Sequence, residues 1–271
     1  MPIALLINVT ALAALIPAAL LPWRWHSQRP DLVFWAVLAV AVAGPLAAIS
    51  VQLDGGWSTG LGAALWLSVA TSLAAFAASA LFLQQAWRLA ALLLPYLLCL
   101  GVLGTVWIAA ETEPEPLALE PGFQADIWLL VHIAVSLTTY ALATLSAVAA
   151  AAVFLQERSL KKKRRSSLTQ RLPSVADAER LQFNFLAAAE TVLGFGIVTG
   201  IGIAWYQTST LPLDHKTFLS LLAFAVIGLL LYLQSRTGLR GKRAGRLVLV
   251  AYLLLTLAYP GVKFVTDVVI G

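Results

Sequence analysis

A chain of 271 residues that is 60% hydrophobic and only 11% charged lies far from the ~25% charged residues of soluble domains and has the composition of an integral membrane protein. Its net charge of +5 does not mark a nucleic-acid binder, because the basic residues sit in short loops between apolar runs, where they set membrane orientation. The single cysteine, Cys99, excludes an intramolecular disulfide and leaves no Cys-x-x-Cys for covalent haem attachment, thiol exchange or a zinc knuckle.

A transmembrane helix needs ~20 predominantly apolar residues. Eight runs qualify in chain order: 3–21, 32–51, 60–83, 89–110, 127–155, 187–206, 218–233 and 247–269. They predict an all-α, polytopic membrane helix bundle of about eight transmembrane helices, forming a single integral membrane domain over 1–271. Residues 1–125 make a four-helix N-terminal half of it. The start, Met-Pro-Ile-Ala, lacks the basic n-region of a cleaved signal peptide, so the first run reads as a retained span. Loop 111–126 is rich in Pro and Glu and reads as irregular. The fifth run is long enough to tilt or to project into the cytoplasm. Loop 156–182 carries Lys161-Lys162-Lys163-Arg164-Arg165. After Pro173, Ser174-Val175-Ala176-Asp177 has the pattern of a capping box that starts a helix feeding the sixth span. The seventh run is short and borrows from the loops at its ends.

Charge fixes the direction. With the N-terminus outside, the inward loops hold 16 of the 18 Lys and Arg, leaving only Lys216 and Lys263 outside. Asp54, Glu111, Glu113, Glu115, Glu120, Asp126, Asp214 and Asp267 all fall outward. The reverse orientation would export the run 161–165, which the positive-inside rule disfavours. The expectation is N-out and C-out in a bacterial inner membrane.

That orientation gives the histidines their sides. His132 is six residues beyond Asp126, roughly 9 Å along a helix at ~1.5 Å per residue, near the outer end of the fifth span. An imidazole there loses hydration that the surrounding Leu, Val and Ala cannot replace, so it needs a partner or a function. His215 stands in the outer segment Leu213-Asp214-His215-Lys216-Thr217. Asp214 suits the N-cap of the seventh span, which leaves His215 as a solvated loop residue or a ligand. His26 falls on the cytoplasmic side. Along the fifth span, His132, Ser136, Thr139 and Ser146 recur at helical spacing with Tyr140 beside them. For the hydroxyl residues the plain reading is interhelical hydrogen bonding.

Gly194, Gly196, Gly200 and Gly202 on the sixth span permit close helix approach, and contact with a flat cofactor is the weaker reading. Glu190 on the same span reads as reaching the interface to pair with the basic loop. Trp57, Trp66, Trp107, Trp128 and Trp205 cluster near outer boundaries as interfacial anchors, and Trp128 and Trp205 are close enough to the histidines to flank a planar ligand. Two neutral imidazoles suit zinc, copper or haem iron. Zinc normally takes three or four protein ligands, whereas haem iron needs only axial ones and its apolar macrocycle suits an aromatic-lined cleft. Haem therefore fits His132 and His215 as metal ligands better than a small ion does, with Trp128 and Trp205 placed to flank it. No catalytic triad, phosphate loop or paired membrane carboxylates are present, and no enzymatic activity is expected.

Several segments carry a resemblance to a known family. They are LLVHIAVSLTTYAL around His132, ERLQFNFL after the basic loop, GFGIVTGIGIAW, LDHKTFLSLLAFAVIGLLLYLQSR, and the terminal RGKRAGR with LAYPGVKF. Residues 126–271 resemble the cytochrome c assembly (CcsA/CcmC-like) membrane proteins, closest to the HemX and YpjD-type branch. The first four spans match only in hydropathy. The resemblance implies that His132, which opens an HxxxxxxxY segment closed by Tyr140, is an external haem ligand. It places Asp214 and Lys216 in a haem-cradling loop that here lacks the family's tryptophans. The family's membrane histidine falls on Gln234 in Tyr232-Leu233-Gln234-Ser235-Arg236, and its late external histidine has no counterpart near 259–264, so His215 is the available second ligand.

The expected function is a haem-binding or haem-handling protein acting in cytochrome c biogenesis or haem homeostasis. Its expected partners are membrane lipid, haem and either a cytochrome c maturation component or a haem-synthesis enzyme, with no nucleic acid. The alternative is a cofactor-free regulatory or scaffolding protein that docks a partner through its basic inner loop. A transporter of another small solute is a third reading, disfavoured by the lack of intramembrane charge pairs.

Overall fold

The computed structural model describes residues 3–24, 29–54, 60–110, 123–164, 166–208 and 215–258. Among these every regular element is helical: α1 (Ile3–Arg24), α2 (Leu32–Asp54), α3 (Leu61–Phe82), a 3₁₀ turn (Ala86–Leu89), α4 (Ala90–Ala110), α5 (Phe123–Lys161), α6 (Ser167–Arg171), α7 (Val175–Thr208), α8 (His215–Thr237) and α9 (Lys242–Thr256). This is the all-α polytopic bundle expected from hydropathy. Seven segments of the described residues are long and apolar enough to cross a membrane. The eighth expected span begins on α9, and its residues 259–269 lie outside the described ones. The sixth span is fed, as expected, by the helix that starts after Pro173. The helix leaving Pro173 and the span itself are one continuous helix, α7, with no break between them.

The chain forms two compact units, the first comprising Met1–Leu117 and Arg158–Ser174 and the second Ala118–Glu157 and Val175–Gly271. In the first, α1 packs on α2 and α4, and α3 packs on α2 and α4. Its core is large and apolar: Leu15, Trp66, Leu73, Phe76, Leu89, Leu93 and Leu97 are fully buried. Lipid gives helices no hydrophobic reason to associate, so their approach depends on small residues. A Cβ on Gly62 would lie 2.9 Å from the carbonyl oxygen of Gly104, and one on Gly104 would lie 3.2 Å from that of Gly62. Backbone therefore meets backbone between α3 and α4. A Cβ on Gly44 of α2 would lie 2.8 Å from that of Ala14 on α1. The short α6 carries a capping box, with Ser166 Oγ accepting from the Thr169 amide and Thr169 Oγ1 from the Ser166 amide. It holds Arg171 where Nη2 donates to the Trp23 carbonyl at 2.8 Å, satisfying an end carbonyl of α1.

In the second unit, Ala143, Ala150, Leu186, Leu193, Ala223, Ile227 and Leu230 form one core with Ala244, Val248, Ala251 and Leu255. Alanines supply most of the α5 and α9 contribution, so the helices meet closely. Ser146 Oγ adds a bond from α5 to α7, donating to the Gln182 carbonyl at 3.0 Å. The turn from α8 to α9 contains Gly238 and Gly241, both at φ +66. At Gly241 a side chain is excluded twice, by that backbone and by the carboxylate of Glu157.

The backbone contact between α3 and α4 yields a direct prediction. Gly62→Val forces the two helices apart and costs about 1–3 kcal/mol, measured as a lower thermal unfolding midpoint of the purified protein in detergent, whereas Gly202→Ala, which meets nothing within 4 Å, leaves the midpoint unchanged.

Candidate haem-ligand site on α5 and α7

His132 sits on α5, half-buried, with its ring against α7. A hydroxyl and two glycines of α7 make the seat. Thr199 Oγ1 donates to the carbonyl of Gly196, one turn earlier, at 3.0 Å. His132 Nδ1 lies 3.1 Å from the same Thr199 oxygen. A hydroxyl has one proton, and here the Gly196 carbonyl takes it, so towards His132 the oxygen acts as acceptor. This arrangement suits the tautomer with the proton on Nδ1, which leaves the lone pair on Nε2. Gly200 makes room for the ring: a Cβ there would lie 3.0 Å from His132 Cε1. Gly196 gives the same clearance to Val135, whose Cγ1 would be 3.3 Å from its Cβ. The close-approach reading holds at Gly196 and Gly200 but not at Gly202, which meets nothing within 4 Å, and at Gly200 the flat group received is the histidine itself.

The remaining sequence candidates divide. Trp128 lies one helical turn before His132 on α5, and Trp205 lies five residues beyond Gly200 on α7; their rings are 59% and 60% exposed. The backbone of His215 starts α8, but its side chain and all of Asp214 lie outside the described residues. Tyr140 lies two turns past His132, about 12 Å along the helix, and its hydroxyl turns to α9, 3.1 Å from that of Tyr252. The two rings stack obliquely with centroids 5.6 Å apart. Thr144 Oγ1 donates to the Tyr140 carbonyl at 2.8 Å and lies 3.3 Å from the Tyr252 hydroxyl. This buried cluster ties α5 to α9.

Two expectations need correction. Ser146 does bond between helices, but Thr139 does not: its Oγ1 donates to Val135 O of its own helix at 2.9 Å, the usual refuge of a hydroxyl in an apolar span. Glu190 does not reach the basic loop. It lies midway along α7, with Oε1 3.0 Å from where a Cβ on Gly228 of α8 would be and Oε2 buried without a hydrogen-bond partner among the described residues. Among those residues no three or more of His, Cys, Asp and Glu converge as metal ligands. Thr199 was missed from sequence because a threonine in a span bonds back to its own helix by default. Its place inside the glycine series, facing a lone histidine, was the available signal.

Comparison with known proteins bears on this geometry. The model of the family described as Cytochrome C assembly protein matches residues 57–270. An Azospirillum brasilense protein, named an uncharacterized 28.8 kDa protein in nifR3-like 5'region, is 49% identical over 269 residues, 97% of each chain. Protein HemX of Brevibacillus brevis is 31% identical over 136 residues, 49% of each chain. The Inner membrane protein YpjD of Escherichia coli K12 is 28% identical over 148 residues, 54% of this chain and 55% of its own. No solved structure matches.

The tyrosine cluster gives the prediction of this section. Tyr252→Phe removes the hydroxyl shared by Tyr140 and Thr144 and destabilises by about 1–2 kcal/mol. Tyr140→Phe has a similar effect, and the double variant falls short of the sum, because both remove one bond; thermal unfolding of all three variants checks it.

Proposed function

Because the chain belongs to the cytochrome c assembly protein family, a membership that supports a role in cytochrome c biogenesis or haem handling, we propose that it holds haem at the extracytoplasmic face of a bacterial inner membrane. The observation that carries this reading is the Thr199–His132 pair. Metal-ligating histidines almost always donate their other ring nitrogen to an acceptor, which fixes tautomer and orientation. His132 suits that arrangement: in the tautomer that donates from Nδ1 to Thr199 Oγ1, 3.1 Å away, the Nε2 lone pair is left for a metal. Its place near Trp128, at the end of α5 next to Asp126, suits a macrocycle lying at the membrane boundary. His132 and His215, at the start of α8, would hold the haem iron, with Asp214, Trp128 and Trp205 contributing to the binding site. Tyr140 supports the site by anchoring α5 to α9 from two turns away. Haem, when bound, supplies an iron whose ligation and redox state the protein tunes. The chain's own residues orient the imidazole and keep one ring face apolar.

In this reading the partner is a cytochrome c maturation component or a haem-synthesis enzyme. A second reading, a cofactor-free scaffold, draws on the basic loop. Ser159 Oγ donates to the Arg164 carbonyl at 2.6 Å, and the turn it closes leaves Lys161, Lys162, Lys163 and Arg164 exposed, a surface suited to an acidic partner.

The purified protein is expected to show, after haemin addition and reduction, a Soret and α-band spectrum of low-spin haem. His132→Ala abolishes it and His215→Ala diminishes it, while Thr199→Val leaves it but weakens haem affinity by about 10–100-fold, as loss of such an orienting partner does. A wild-type protein that is colourless and takes up no haemin overturns the reading and leaves the scaffold.

A further inference from the structure

The second unit contains a cavity of about 490 Å³ at the basic end of its helices, within the ~300–1,000 Å³ typical of small-molecule sites. It is enclosed by the first turns of α7, the last turn of α8 and the turn into α9. The polar side chains in its wall are Glu179, Arg180, Gln182, Gln234, Ser235 and Arg240, with Phe183 and Leu239 on the apolar side. It lies apart from His132 and takes no part in the haem reading.

Three of these side chains have unspent capacity. Arg180 and Arg240 are exposed at its rim, and neither has an ion-pair partner among the described residues. Gln234 Oε1 is buried with no donor reaching it among the described residues, a costly state for a carbonyl oxygen unless a ligand supplies a proton. Glu179 is partly used, since its Oε1 accepts the amide of Gly241 at 2.8 Å. Glu157 and Lys242 stand just outside the wall and add one charge of each sign; Lys242 Nζ lies over the Phe154 ring, 4.8 Å from its centroid. The wall therefore carries two guanidinium forks against one carboxylate, together with an acceptor that wants a hydroxyl or ammonium.

We propose that this cavity binds a hydroxyl-bearing glycerophosphate, with the phosphodiester held by Arg180 and Arg240 and a headgroup hydroxyl donating to Gln234. Guanidinium forks match phosphate oxygens in pairs. One net positive charge in the wall matches a monoanionic phosphodiester; a zwitterionic phosphate–ammonium headgroup would leave that charge uncompensated. The same chemistry comes from two sources, the headgroup of phosphatidylglycerol or a soluble glycerophosphodiester. The surroundings suit the lipid, since Phe183 is 37% exposed beside the cavity and Tyr232, Leu229 and Phe195 are exposed apolar side chains further along α8 and α7. An acyl chain laid there would extend away from the basic end.

Native mass spectrometry of the delipidated full chain, with phosphatidylglycerol, phosphatidylethanolamine or phosphatidylcholine of matched acyl chains added, tests the site. Phosphatidylglycerol is expected to be retained about tenfold better than phosphatidylcholine, since both offer the phosphodiester to the arginines but only phosphatidylglycerol adds a hydroxyl for Gln234 and no cation. The preference disappears in Arg180→Gln/Arg240→Gln and drops in Gln234→Glu, which keeps the side chain's shape and repels the phosphate; circular dichroism shows the helices intact in both. A second arm uses glycerophosphoglycerol, the headgroup without its chains, and follows thermal unfolding. Protection of the wild type but not of the double arginine variant supports the site and names a soluble ligand as its source. Equal retention of all three lipids without protection by glycerophosphoglycerol, a preference for phosphatidylethanolamine, or a phosphatidylglycerol preference that survives loss of both arginines overturns the proposal.

Discussion

Hydrocarbon offers no partner to an amide, a hydroxyl or an imidazole, and the rest of this structure follows from that. Every regular element among the described residues is a helix because a helix satisfies its backbone within itself. Several hydroxyl side chains obey the same rule, although Ser72 Oγ is buried without a partner among the described residues. Ser68, Thr105, Thr138 and Thr139 each donate to the carbonyl four residues earlier. Side chains that break this habit mark places where two helices are tied together. Ser146 reaches the Gln182 carbonyl, Tyr140 meets Tyr252, and Thr199, bonded to Gly196, also receives His132.

The tie at His132 is a case of two helices completing one functional group. α5 supplies an imidazole that has no acceptor of its own nearby. α7 supplies the acceptor and, through Gly196 and Gly200, the space that lets the ring reach it. An isolated histidine in an apolar span would be an expensive defect. Seated on α7, it gains a polar partner in Thr199 and a fixed ring orientation.

The helices and the choice of His132 were legible in the sequence because both rest on local signals: uninterrupted apolar length, and one polar residue where none belongs. Limits of the helices were less so. Hydropathy starts the sixth span only at 187 because Glu179 and Arg180 interrupt it, while the capping pattern after Pro173 already placed the helix that feeds the span, and α7 is that one helix. What could not be read were pairings between residues far apart in the chain. Thr199 with His132, Tyr252 with Tyr140, and Gly228 with Glu190 depend on which helix faces come together, and a single sequence of helices that are apolar all round carries little rotational information. Gln234 illustrates the limit: its position in a family motif was visible, whereas its buried, unpartnered oxygen in the wall of a cavity was not.

Glu190 and Gly228 bear on how this chain tolerates change. The carboxyl group of one occupies the space that the other's missing side chain leaves on the facing helix. The pair therefore behaves as one quantity of volume divided between two helices. A larger residue at 228 would turn the acid outward, towards lipid, even with position 190 untouched. A smaller residue at 190 would in turn leave a void against the bare glycine. The two positions can drift only together, with the bulk moving from one helix to the other.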